Sequence, residues 1–133
     1  MVRPIFLDTA GLVAIWDRRD QWHEAARRAY ALHVRNGAVT ITTNLVMFEA
    51  ANSVSRLLAV RRVLVQFRQT LIRERRLVEP SAHEIEQAWS QYQHGVPGSF
   101  VDLVSFEVMR RIDAHEVFSN DRHFRTAGFI TLF

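Results

Sequence analysis

The chain has 133 residues, 48% of them hydrophobic, which suits one domain with its own core and excludes a disordered chain. It has no cysteine, which removes disulfide frameworks and thiolate metal sites and fits a reducing, cytoplasmic setting. All 17 basic residues are arginine, so lysine chemistry (a P-loop, a Schiff base) is out, and a sequence pI of about 10.5 points towards a polyanionic partner.

In chain order, residues 3–8 read as a strand that ends on Asp8, with a second apolar segment close behind that the pattern assigns to no element. Residues 22–35 read as a helix, with Ala25, Ala26, Ala29 and Leu32 at helical spacing. The β-branched run 38–43 is a second strand, and residues 44–59 follow with the helical period, Asn44 being the expected N-cap. Residues 61–74 form an arginine-rich helix, and 76–80 a short strand stopped by Pro80. Ser81 and Glu84 match a capping box that opens a helix to about His94. A loop over 95–99 precedes a helix over 101–111. A strand over 116–119, a helical turn over 122–127 and a final strand over 129–133 complete the chain.

Strands alternating with helices predict an α/β domain with a mostly parallel sheet of about five strands. No repeat or linker divides the chain, so residues 1–133 are read as a single domain, and no apolar stretch reaches the length of a membrane span. In such sheets the working site lies at the carboxyl ends of the strands, where strand order reverses.

Four acids fall in that zone. Asp8 ends the first strand, Asp121 follows the strand that ends at Ser119, and Asp102 lies in the first turn of its helix. Glu49 is the one charge between Asn44 and Ser55. Each has an ordinary explanation as a cap, a helix-dipole partner or a solvated side chain. Together they point elsewhere. Two carboxylates about 4 Å apart repel by roughly 4 kcal/mol at an effective dielectric near 20, so four converging acids call for a cation. Hard oxygen donors without sulfur select Mg²⁺ or Mn²⁺, which suits phosphodiester cleavage.

Other chemistries find less support. The six histidines contain no H-x-x-x-H pair, no G-x-S-x-G occurs, and Ser105 reads as a packing residue. A haloacid-dehalogenase-type phosphatase needs a second acid two residues after Asp8, where this chain has Ala10.

Taken with their flanking residues, these acids give the chain a resemblance to PIN-domain ribonucleases, specifically the VapC-type toxins of bacterial toxin–antitoxin pairs. It rests on IFLDTAGLVAIWDRRDQWHEAA (5–26), TTNLVMFEAANSV (42–54), GSFVDLVSFEVMRR (98–111) and VFSNDRHFRTAGF (117–129). The resemblance implies a three-layer α/β/α fold with sheet order 3-2-1-4-5. It implies that Asp8, Glu49 and Asp102 hold Mg²⁺ or Mn²⁺, with Asp121 contributing to a second ion, and that these acids carry the catalysis. Thr9, Asn44 and Ser119 match small polar positions that orient them. The residue before Asp102 is often threonine in the family, and here it is Val101.

The expected function is a metal-dependent endoribonuclease acting as a toxin. A non-catalytic RNA- or protein-binding module of the same fold is the alternative, as is an RNA-processing nuclease that is not a toxin. The expected partners are an RNA substrate, a cognate antitoxin protein and a second copy in a homodimer. Seven arginines lie between Arg56 and Arg76 against one acid, Glu74. Among them Arg61, Arg62 and Arg68 are candidates for phosphate contact, the alternative being a solvated helix face. Trp16, Trp22 and Trp89 are expected either at an apolar contact surface or in the core.

Overall fold

Ile5, Phe6 and Leu7 are all buried, as a strand in the middle of a parallel sheet must be. The computed structural model describes residues 3–133. Around this first strand, β1 (Ile5–Leu7), lie β2 (Thr40–Thr43), β3 (Leu77–Val78), β4 (Glu116–Phe118) and β5 (Ile130–Thr131). Their order is β3-β2-β1-β4-β5, and all four pairings are parallel. The strand order reverses between β1 and β4, where Ile5 pairs with Glu116, Phe6 with Val117 and Leu7 with Phe118. Residues 5–7 and 116–118, far apart in sequence, therefore pair at the centre of the sheet.

The helices are α1 (Thr9–Trp16), α2 (His23–Arg35), α3 (Asn44–Ser53), α4 (Leu58–Arg73), α5 (Ala82–Gln93), α6 (Phe100–Arg111) and α7 (Arg122–Thr126). They surround the sheet and enclose a core built on Phe6, Leu12, Met47, Leu71, Phe106 and Phe118. No described helix is long and apolar enough to cross a membrane.

Several boundaries differ from the sequence reading. The segment after Asp8 is a helix, α1, although no amphipathic period announces it. Gly11, Leu12 and Ala14 are buried while Val13, Ile15 and Trp16 also pack on the core, so apolar residues fall all round it. Gly11 is required there, since a Cβ would come within 2.1 Å of the Phe118 carbonyl oxygen on β4. The N-cap of α3 is Thr43, whose hydroxyl accepts the Val46 N–H at 3.3 Å; Asn44 is already inside the helix. Helix α4 begins at Leu58, and the last strand shortens to Ile130–Thr131. The capping box at Ser81 and Glu84 forms as read.

Candidate active site

The β1 and β4 ends deliver Asp8 and Ser119 side by side. Asp8 holds the N-cap position of α1 but makes no side-chain capping bond. Its Oδ2 instead accepts the Ser119 hydroxyl at 2.9 Å, and Ser119 Oγ accepts the Asp121 N–H at 3.0 Å. One hydroxyl thus links two of the four acids. On α3, Glu49 Oε1 accepts the Thr9 hydroxyl at 2.5 Å, which ties that helix to the start of α1.

Asp102 and Asp121 keep ordinary structural duties as well. Ser99 and Asp102 form a reciprocal capping box, with Asp102 Oδ2 accepting the Ser99 N–H at 3.0 Å. Asp121 caps α7 by accepting the His123 N–H on Oδ1 at 2.9 Å. Each cap uses one carboxylate oxygen. Asp102 Oδ1, Asp121 Oδ2 and Glu49 Oε2 have no hydrogen-bond donor among the described residues. Gly98, at φ +128°, lets the loop pass against Asp102, whose Cβ would lie 3.2 Å from an added methyl.

These groups line one open groove of about 500 Å³ that contains Asp8, Glu49, Asp102 and Asp121. Burial pushes the Asp8 carboxyl up to about 7, with the charges of Asp102 and Asp121 adding to the rise and Ser119 and Thr9 offsetting part of it. Asp102 is also raised, first by burial and then by Asp121 and Glu49, against the Ser99 N–H and His123. A cation would reverse both effects. Ligand atoms of Asp102, Asp121 and His123 lie within 4.8 Å of one another, so the donors fit a hard divalent ion.

His123 was not singled out by the sequence. Its Nδ1 lies 3.1 Å from Asp121 Oδ1 and 3.8 Å from Asp102 Oδ2. The available signal was its spacing, two residues past an acid that follows a strand, on a helix too short to show a period.

Two of the expected residues lie away from the four acids. Asn44 does not orient the four acids: its Nδ2 donates to Glu79 at 2.8 Å and its Oδ1 accepts from Arg68 Nε at 3.0 Å. As the first residue of α3 rather than its cap, Asn44 reaches towards α4 and the segment after β3. Arg68 is partly buried and gives its Nε to that bridge, whereas Arg61 and Arg62 are exposed. None of the three lines the acidic groove.

The sequence profile of the PIN domain matches residues 5–130. The chain belongs to the PIN-domain family. It is 30% identical over 128 residues to the 23S rRNA-specific endonuclease VapC20 of Mycobacterium tuberculosis, in both the CDC 1551 and H37Rv strains, with 95% of each chain covered. The crystal structure of VapC20, described as a sarcin–ricin-loop-cleaving toxin, superposes with a TM-score of 0.77 at 29% identity, covering 95% of this chain and 96% of that one. The five-stranded parallel sheet of order 3-2-1-4-5 matches the PIN fold of VapC20. In this PIN domain the acids sit where strand order reverses, with β1 and β4 paired beneath them.

Proposed function

We propose that this chain is a divalent-metal-dependent endoribonuclease, the toxin of a toxin–antitoxin pair, with Mg²⁺ or Mn²⁺ as its ion. The observation that carries the reading is the convergence of four carboxylates in one groove. Support also comes from the similarity to VapC20 over 95% of both chains. Asp8, Glu49, Asp102 and Asp121 would hold the metal, with His123 beside Asp102 and Asp121 as a further donor. Metal so bound supplies a water of lowered pKa and neutralises charge on the leaving oxygen. Thr9 and Ser119 keep one oxygen each of Glu49 and Asp8 turned away from rotation, so the acids are pre-set rather than assembled by substrate.

The RNA class to test first is the sarcin–ricin loop of ribosomal RNA, by analogy with VapC20. The proposed partners are a cognate antitoxin protein and a second copy of the chain. The exposed pair Trp89 and Tyr92 on α5, 51% and 56% accessible, supports such a contact, and sedimentation at micromolar concentration should show the dimer.

The test is incubation of a sarcin–ricin-loop hairpin and of ribosomal RNA with Mg²⁺ or Mn²⁺, with EDTA, and with the Asp102→Asn variant. Discrete cuts are expected only for the metal-loaded native protein. RNA binding with no cleavage under any metal would favour the binding-module reading instead.

A further inference from the structure

Trp22 occupies the N-cap of α2, a position that favours Ser, Thr, Asn or Asp because their side chains accept a helix-end N–H. An indole cannot do this. The turn is closed instead by Asp20, whose Oδ1 accepts the Trp22 N–H at 2.8 Å, and by His23, whose Nδ1 lies 2.8 Å from the Ala14 carbonyl oxygen. The backbone around Trp22 is thus tied down while its side chain stays out, 44% exposed. Trp16 stacks edge-on against Phe67 at 5.5 Å and Trp89 lies 4.1 Å from Phe100, but Trp22 has no aromatic partner among the described residues. It is not one of the buried or partly buried residues of the core. A large apolar side chain that breaks the local capping rule and stays nearly half exposed points to a role beyond folding.

Its place says which function. Trp22 lines the acidic groove together with Ala10, Val13 and Ala14, so the groove has an apolar wall beside its carboxylates. The acids repel a phosphate backbone wherever an ion does not offset them, and a contact that carries no charge adds affinity there in either case. Stacking of a base on an aromatic ring is such a contact, and it needs an unpaired base whose face is free. We propose that Trp22 is a stacking platform for one unpaired base beside the scissile phosphate. The site then takes looped or single-stranded RNA and rejects duplex, whose base faces are already stacked on one another. The inference rests on the nuclease reading and names the substrate feature that the same groove selects.

The test compares Trp22→Ala and Trp22→Phe with the native protein on a short single-stranded RNA, its blunt duplex, and a set of the same strands carrying one abasic nucleotide at successive positions. Trp22→Ala should raise KM on the order of tenfold with kcat little changed, and Trp22→Phe should keep most of the native value. One abasic position should slow the native enzyme to the rate of Trp22→Ala, and that position should cost Trp22→Ala nothing further. In an Asp8→Asn background, single-stranded RNA should quench tryptophan emission, duplex should not, and Trp22→Phe should remove most of the quench. Native KM in Trp22→Ala, or equal penalties at every abasic position, would overturn the proposal while leaving the nuclease reading intact. A Trp22-dependent quench with no cleavage by the native protein would leave the platform standing and sink the nuclease. Absence of both quench and cleavage would overturn both.

Discussion

Asp8 ends a buried strand, and its carboxyl sits at about 7 against an ordinary 3.8, first because it is buried and then because Asp102 and Asp121 are near. Between those two values the folded chain holds a proton that the unfolded chain has released. The stability Asp8 contributes is therefore fully present below about 4 and is lost as pH rises through about 7. In EDTA, urea melts of the native protein should weaken relative to Asp8→Asn as pH is raised from about 5 to about 8. A constant difference across that range would mean that Asp8 titrates like a surface acid. The same variant should lose metal-dependent RNA cleavage by orders of magnitude, because in the proposed site the charge that repels its neighbours is one that would hold the ion. A mere cap would behave oppositely, since asparagine caps about as well as aspartate.

Helices carry the next set of constraints. α1 lies so close to β4 that Gly11→Ala would drive a methyl into the Phe118 carbonyl, and a cost of about 1–3 kcal/mol or more is expected in chemical denaturation. α5 fixes α6, the helix that carries Asp102, through Arg111, which grips Glu84 with Nε at 2.6 Å and Nη2 at 3.1 Å. Burial pushes the Glu84 carboxyl up, but Arg111 and Ser81 more than offset this and hold it below its ordinary range. Arg111→Ala should cost about 1.5–3 kcal/mol near neutral pH, and the penalty should shrink in acid as pH falls through the lowered Glu84 value. Equal penalties at neutral and acid pH would assign the loss to packing alone. Elements with a period or a cap signature were legible in the chain, such as α2 and the Ser81 capping box. Helix α1 was not, because a segment apolar on all sides has no stripe to read. Asn44 misled for a related reason: Thr43 and Asn44 are both good caps, and only the end of β2 decides between them. The four acids could be suspected from their places after strands, whereas His123 was not singled out and Trp22 was named only for a contact surface or the core, since their places beside the acids come from what the fold brings together.

At the scale of the whole molecule, the acids act as one mutually repelling set. Mg²⁺ or Mn²⁺ should raise the melting temperature of the native protein, and the quadruple variant of Asp8, Glu49, Asp102 and Asp121 to alanine should show no rise. Equal shifts in both would place the ion elsewhere. Charge over the rest of the surface has the opposite sign, and α4 displays Arg61 and Arg62 to solvent. Replacing both with glutamine should weaken RNA binding and flatten its salt dependence, and an unchanged slope would leave them as solvated residues. Pairing of β1 with β4 joins residue 5 to residue 116 and residue 7 to residue 118. During synthesis β2 and β3 are made before β4, so the other edge of β1 waits for a strand that begins only at residue 116. Until then Asp8 faces neither Ser119 nor Asp121, and the hydroxyl that links the two acids is missing. The order of the strands themselves therefore sets an interval in synthesis during which the four acids are not yet gathered in one groove.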